Sequence, residues 1–94
     1  MDRLIEQHRQ EILSLAARRG AKLVRVFGSM AKDRARPDSD VDLLVEMEPG
    51  KSAFALGALL LDLEGLLGRK VDLVTPAALH PKIRDQVLRE AIEL

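Results

Sequence analysis

Apolar residues recur at three- and four-residue steps from residue 2 to 19, with Leu4, Ile5, Ile12, Leu13 and Ala16 on one side. That period predicts an amphipathic helix, and Gly20 stands where its C-terminal cap belongs. Residues 22–27 read as a first strand, centred on Leu23-Val24-Arg25-Val26-Phe27. A short helix is expected from Ser29 to about Arg34, followed by turn chemistry at Arg36-Pro37-Asp38-Ser39. A second strand covers 40–47 and stops at Pro49-Gly50. Ser52 can cap a third helix that runs to Leu67 and closes at Gly68. Residues 69–75 alternate as a third strand ended by Pro76. Pro81 opens a last helix with Ile83, Val87, Leu88, Ala91 and Ile92 on its apolar side. The order is αβαβαβα, in one small domain spanning 1–94, with no internal repeat, linker or low-complexity tract.

In the third helix Leu56, Leu59, Leu60, Leu63 and Leu67 make one face, while Leu61 falls well outside it. Two readings stay open: a helix buried on most sides, or a face left for a partner. Asp62 and Glu64, two apart on this helix, cannot face each other and read as solvated edges.

Composition narrows the function classes. With 47% hydrophobic residues, 94 residues suffice for one modest core. Fifteen basic and fifteen acidic residues cancel, so nothing marks the chain as a nucleic-acid or membrane binder. Phe27 and Phe54 are the only aromatics, which argues against a base-stacking platform and direct nucleic-acid binding. The absence of cysteine removes disulfides, thiolate nucleophiles and zinc–thiolate sites. The N-terminus lacks the apolar core of a signal peptide, and the stretch from Leu56 to Leu67 is too short to span a bilayer. A cytoplasmic protein is the expectation. A lack of Asn and an excess of Arg over Lys point to a thermophilic source or a GC-rich genome.

The chemistry concentrates between Gly28 and Asp42. Asp40 and Asp42, two apart on a strand, point the same way and can reach one cation. Magnesium favours oxygen ligands, few protein carboxylates and substrate phosphates. A third acid would allow two metals about 3.5–4 Å apart. Asp72 is the candidate, mid-strand between Val71 and Leu73 on a segment that can pair beside the second strand. An unpartnered acid in an apolar strand is costly and calls for a reason, and Asp72 could also take a proton from an attacking hydroxyl. Gly28 permits close backbone approach, and the Ser29 hydroxyl with the N–H groups after it can hold phosphate oxygens. No Gly-Lys-Ser/Thr follows, so this is not a P-loop. Lys32, one turn on, can reach a phosphate, with Arg34 and Arg36 in the same connection. His8 and His80 have no ligand-like spacing and read as structural or surface residues.

Gly28-Ser29-Met30-Ala31-Lys32, followed by Arg36-Pro37-Asp38-Ser39-Asp40-Val41-Asp42-Leu43-Leu44-Val45, resembles the signature of the minimal nucleotidyltransferases, small members of the DNA polymerase β-like superfamily. Val71-Asp72-Leu73-Val74 is similar to the family's third acidic strand, and Ile83 to Leu94 to its last helix. The resemblance covers nearly the whole chain. It implies an α+β fold, a small mixed sheet with helices packed against it. It implies transfer of a nucleoside monophosphate, AMP from ATP, to an acceptor hydroxyl with magnesium and release of pyrophosphate. Gly28, Ser29 and Lys32 would then bind the nucleotide; Asp40, Asp42 and Asp72 would hold metal and complete the catalytic site. Minimal members are often antitoxins that add AMP to a tyrosine of a HEPN ribonuclease toxin. That implies a hetero-oligomer, with Leu61, Ile92 and Leu94 as possible contact surface. Two alternatives stand beside this reading: an antitoxin acting by contact alone, and a stand-alone transferase for a small hydroxylated molecule. The short chain leaves the latter little surface for an acceptor pocket.

Overall fold

The computed structural model describes residues 1–94. Two helices stand where one is expected. Helices α1 (Arg3–Gln7) and α2 (Arg9–Arg18) meet at His8. His8 sits at φ −108° with Nδ1 2.9 Å from the Leu4 carbonyl oxygen, so local side-chain bonding interrupts the ladder. Ile5, Ile12 and Ala16 remain buried together across the break.

Strand β1 (Ala21–Phe27) runs into a 3-10 turn at Gly28–Met30, in place of the longer helix expected there. Strand β2 (Val41–Met47) returns antiparallel to it. Helix α3 (Ala53–Leu67) then crosses over to strand β3 (Val71–Val74), parallel to β2, as a parallel connection requires. Gly68, at φ +64°, ends α3 in the left-handed conformation. Ser52 occupies the N-cap position, but its side chain makes no capping bond.

A second 3-10 turn, Pro76–Ala78, precedes helix α4 (Pro81–Glu90). The apolar run expected to stay helical through Ile92 ends early: Ala91 is extended, and strand β4 (Ile92–Glu93) pairs antiparallel with β1. The free edge of β1 supplies the hydrogen-bonding partners, including Val24 O to Leu94 N–H at 3.0 Å. The sheet order is β3-β2-β1-β4, a mixed four-stranded sheet in a small α+β domain.

One face of the sheet carries the core. Val24, Val26, Val41, Leu43, Val45 and Val71 pack in one buried cluster with Ile12, Ala16, Leu59, Leu63 and Leu67 from α2 and α3. In α3, Leu59, Leu63 and Leu67 are buried and Leu56, Leu60 and Leu66 pack partly against the core, while Phe54, 89% exposed, and Leu61, 70%, leave one side open. Leu44, on the opposite face, is buried outside that cluster, where the Pro76–Ala78 turn packs on β2. No α4 side chain is buried. No helix is long and apolar enough to cross a membrane.

Candidate active site

Chain direction brings the acidic residues to one end of the sheet. β1 ends where β2 begins, because the two are antiparallel, and β3 begins beside β2, because those two are parallel. Asp42 is paired with Phe27 on one side and with Asp72 on the other. Its neighbours Val41 and Leu43 point into the core, so by alternation Asp42 and Asp72 share the opposite face. Asp40 lies just ahead of β2 on the same register.

Gly28 lies against Asp42. It adopts φ +68°, and a Cβ built on it would occupy the place of the Asp42 carboxylate, with Cγ only 3.2 Å away. The glycine therefore serves two needs: a left-handed turn out of β1, and room for Asp42. Ser29 follows, half-buried, at the start of the 3-10 turn.

The turn before Asp40 is clamped by a residue that the sequence did not single out. The Arg69 guanidinium donates to Ser39 O at 2.8 and 3.2 Å and to Arg36 O at 2.9 Å. Arg36 N–H donates to Ser39 Oγ at 2.7 Å, and Val41 N–H to Lys70 O at 2.9 Å. Arg69 lies thirty residues from Ser39, so its only sequence signal was its place at the start of the third strand.

Electrostatics mark Asp42 out. Partial burial pushes its carboxyl above the usual range, and the charges of Asp72 and Asp40 push it further. Lys70 Nζ stands 3.9 Å from Asp40 Oδ2, but no neighbouring cation offsets the rise at Asp42. Neighbouring carboxylates with no cation against Asp42 are the donor chemistry that suits a hard divalent cation. The side chains do not close into a ready-made set of three ligands. Magnesium usually takes only one or two carboxylates, with water and substrate phosphates completing its octahedron.

Other expectations need correction. Asp72 is exposed, not embedded as an acid within an apolar strand. The Lys32 ammonium pairs with Glu90 at the end of α4, Nζ to Oε2 2.9 Å, which leaves its expected phosphate role open. Asp62 and Glu64 are not idle edges; Arg19 donates to Asp62 at 2.8 Å and Val71 N–H to Glu64 at 3.1 Å. His80 agrees with its structural reading, its Nδ1 accepting from Lys82 N–H at 3.1 Å at the start of α4. The most defined groove, about 510 Å³ between α2 and α3, is lined by Gln10, Ser14, Arg18 and Leu66 among others, and shares no residue with the acidic end.

A glycine turn facing a row of acids on a mixed sheet defines a class, and the sequence profile of the nucleotidyltransferase domain matches residues 5–94: the chain belongs to that family. Among its relatives is a Methanocaldococcus jannaschii protein named as a candidate protein adenylyltransferase, 36% identical over 96% of this chain and 97% of its own. The protein adenylyltransferase MntA of Thermococcus cleftensis is 38% identical over 98% of this chain and 90% of its own length. A solved structure described as a candidate minimal nucleotidyltransferase superposes with TM-score 0.88 at 53% identity, covering 100% of this chain and 97% of that one. The resemblance read from the motifs therefore holds. A more distant likeness, of fold alone, is to a complex of a tri-AMPylated Shewanella oneidensis HEPN toxin with its MNT antitoxin. It has TM-score 0.70 at 21% identity and covers 94% of this chain and 69% of that one.

Proposed function

We propose that this chain is a protein adenylyltransferase that moves AMP from ATP to a tyrosine hydroxyl of a HEPN-type toxin, and so acts as its antitoxin. The observation that supports the reading is the register Phe27–Asp42–Asp72, which sets Asp42 and Asp72 side by side next to Gly28, with Asp40 two residues ahead of Asp42. The names of the two archaeal relatives and the complex of the more distant structure support the acceptor class.

In this scheme the acceptor oxygen attacks the α-phosphorus of ATP. A new phosphorus–oxygen bond forms, the bond to pyrophosphate breaks, and the acceptor proton leaves to a carboxylate or to water. Gly28 and Ser29 hold the triphosphate. Asp40, Asp42 and Asp72 would hold magnesium, which when bound neutralises phosphate charge and orients the leaving group. Asp72, exposed on β3 beside Asp42, would accept the proton. Lys32 neutralises charge on the departing pyrophosphate.

The test combines the purified chain, ATP, magnesium and a HEPN-type toxin from the same genome, and weighs that protein by mass spectrometry. The expected result is a gain of one or more adenylates that disappears with Asp40→Asn/Asp42→Asn. No gain with any nucleotide or divalent metal would falsify the proposal. The same double variant addresses neutralisation by contact alone: if it still protects cells fully from the toxin, transfer is not what silences the partner.

A further inference from the structure

Lys32 and Glu90 lie 58 residues apart and join the loop after Ser29 to the end of α4 through a 2.9 Å ion pair. Both hang from the same strand. Lys32 follows the turn that leaves β1 at Phe27, and Glu90 precedes β4, whose Ile92 pairs with Val26 of β1. Gln86 Nε2 steadies the carboxylate from one turn earlier, at 3.4 Å from Glu90 Oε1. The ammonium is thus turned toward α4, and Asp42 gains no relief from it.

Both side chains are about two-fifths exposed, 43% for Lys32 and 42% for Glu90. Such pairs are weak and exchange readily. A triphosphate carries far more negative charge than one carboxylate and outbids it for the ammonium. α4 would feel the loss, because none of its side chains is buried. Arg84 also holds it, donating to Pro76 O at 2.9 Å and Leu79 O at 3.0 Å.

We propose that Glu90 is a latch on Lys32: in the nucleotide-free chain it holds the ammonium on α4, and a triphosphate bound at Gly28–Ser29 takes it over and loosens the last turn of that helix. The inference rests on the phosphate role of Lys32 stated above. It makes Glu90 a positioning residue, acting on the nucleotide only through Lys32, and makes the state of α4 a report of whether nucleotide is bound.

The test is calorimetric binding of ATP with magnesium to the full chain, with no acceptor present. Glu90→Gln tightens binding by about 1.5- to 5-fold, the range of an exposed ion pair, and Lys32→Gln weakens it. In the Lys32→Gln background Glu90→Gln has no further effect. Hydrogen exchange at residues 86–90 rises when ATP is added to the wild type, and is already raised in Glu90→Gln without it. Equal tightening in both backgrounds would show plain repulsion by a carboxylate and overturn the latch, as would unchanged or weaker binding by Glu90→Gln. A wild type that binds ATP while the variant fails to tighten sinks the latch alone. A wild type that binds no ATP sinks the phosphate site with it. Thermal melting of each variant verifies that all are folded.

Discussion

At Gly28 one hydrogen atom in place of a methyl group decides whether the acidic end can form. The residue takes φ +68°, and the Asp42 carboxylate fills the space a Cβ would need. Gly28→Ala therefore meets two penalties, left-handed backbone costing about 1–2 kcal/mol and a collision with Asp42. The expected outcome is a lower melting temperature together with loss of nucleotidyl transfer. Asp42 behaves in the opposite way. Its raised pKa means that the folded chain holds the proton more tightly than the unfolded one. Ionised Asp42 thus lowers stability at neutral pH, and the penalty fades as pH falls through the raised value. Asp42→Asn should melt higher than the wild type at neutral pH, by no more than about 1 kcal/mol at this half-exposed site. The advantage should shrink under acid conditions. Scanning calorimetry across pH checks both signs; a variant that melts lower at neutral pH would contradict the electrostatic account. The two aspartates around Val41 were legible as a pair because a strand alternates faces. That they belong to one site with Gly28 was legible from the spacing; that the Asp42 carboxylate fills the space of a Gly28 Cβ was not, since it depends on β2 returning beside β1.

At the scale of elements, α4 is attached rather than packed. Pro81 and the His80 side chain begin it, Arg84 anchors its middle to two carbonyls, and Glu90 meets Lys32 near its end. Arg84→Ala removes two charge-assisted hydrogen bonds, a local loss of about 1.5–3 kcal/mol. It should raise proteolysis and hydrogen exchange within 81–90 while the core strands keep their protection; uniform loss of protection across the sheet would show that α4 is part of the global folding unit. The helical period of α2 and α3 was readable because their buried leucines, isoleucine and alanine repeat on one face. The break at His8 was not, because a seven-residue step from Ile5 to Ile12 keeps the same face whether or not the ladder is continuous. β4 was hidden for a different reason. Two residues carry no strand period, and only the unpaired edge of β1 draws Ile92 and Glu93 out of the helix.

For the whole molecule, the division into two faces matters most. α2 and α3 cover one side of the sheet, while Asp42 and Asp72 lie on the other, and the α4 side chains Ile83 and Leu88 are 48% and 37% exposed. Binding of a divalent cation at the acidic end should raise the melting temperature of the intact chain, because a ligand that binds only the folded state stabilises it. Magnesium titration in a thermal melt should show the rise, and Asp40→Asn/Asp42→Asn should abolish it. An equal rise in the double variant would place the cation elsewhere.

The amino-acid order alone determined which residues could form the site and which elements would carry them. Alternation, turn chemistry and the Gly-Ser to Asp-Val-Asp spacing are local properties, expressed in any conformation that keeps those elements. Folding decided everything that depends on distance across the chain: the register that sets Asp72 beside Asp42, the Arg69 clamp on the turn before Asp40, the β4 edge, and the contact of Lys32 with Glu90. Those contacts join residues separated by tens of positions, so they exist only once strand pairing and the α3 crossover have brought the segments together.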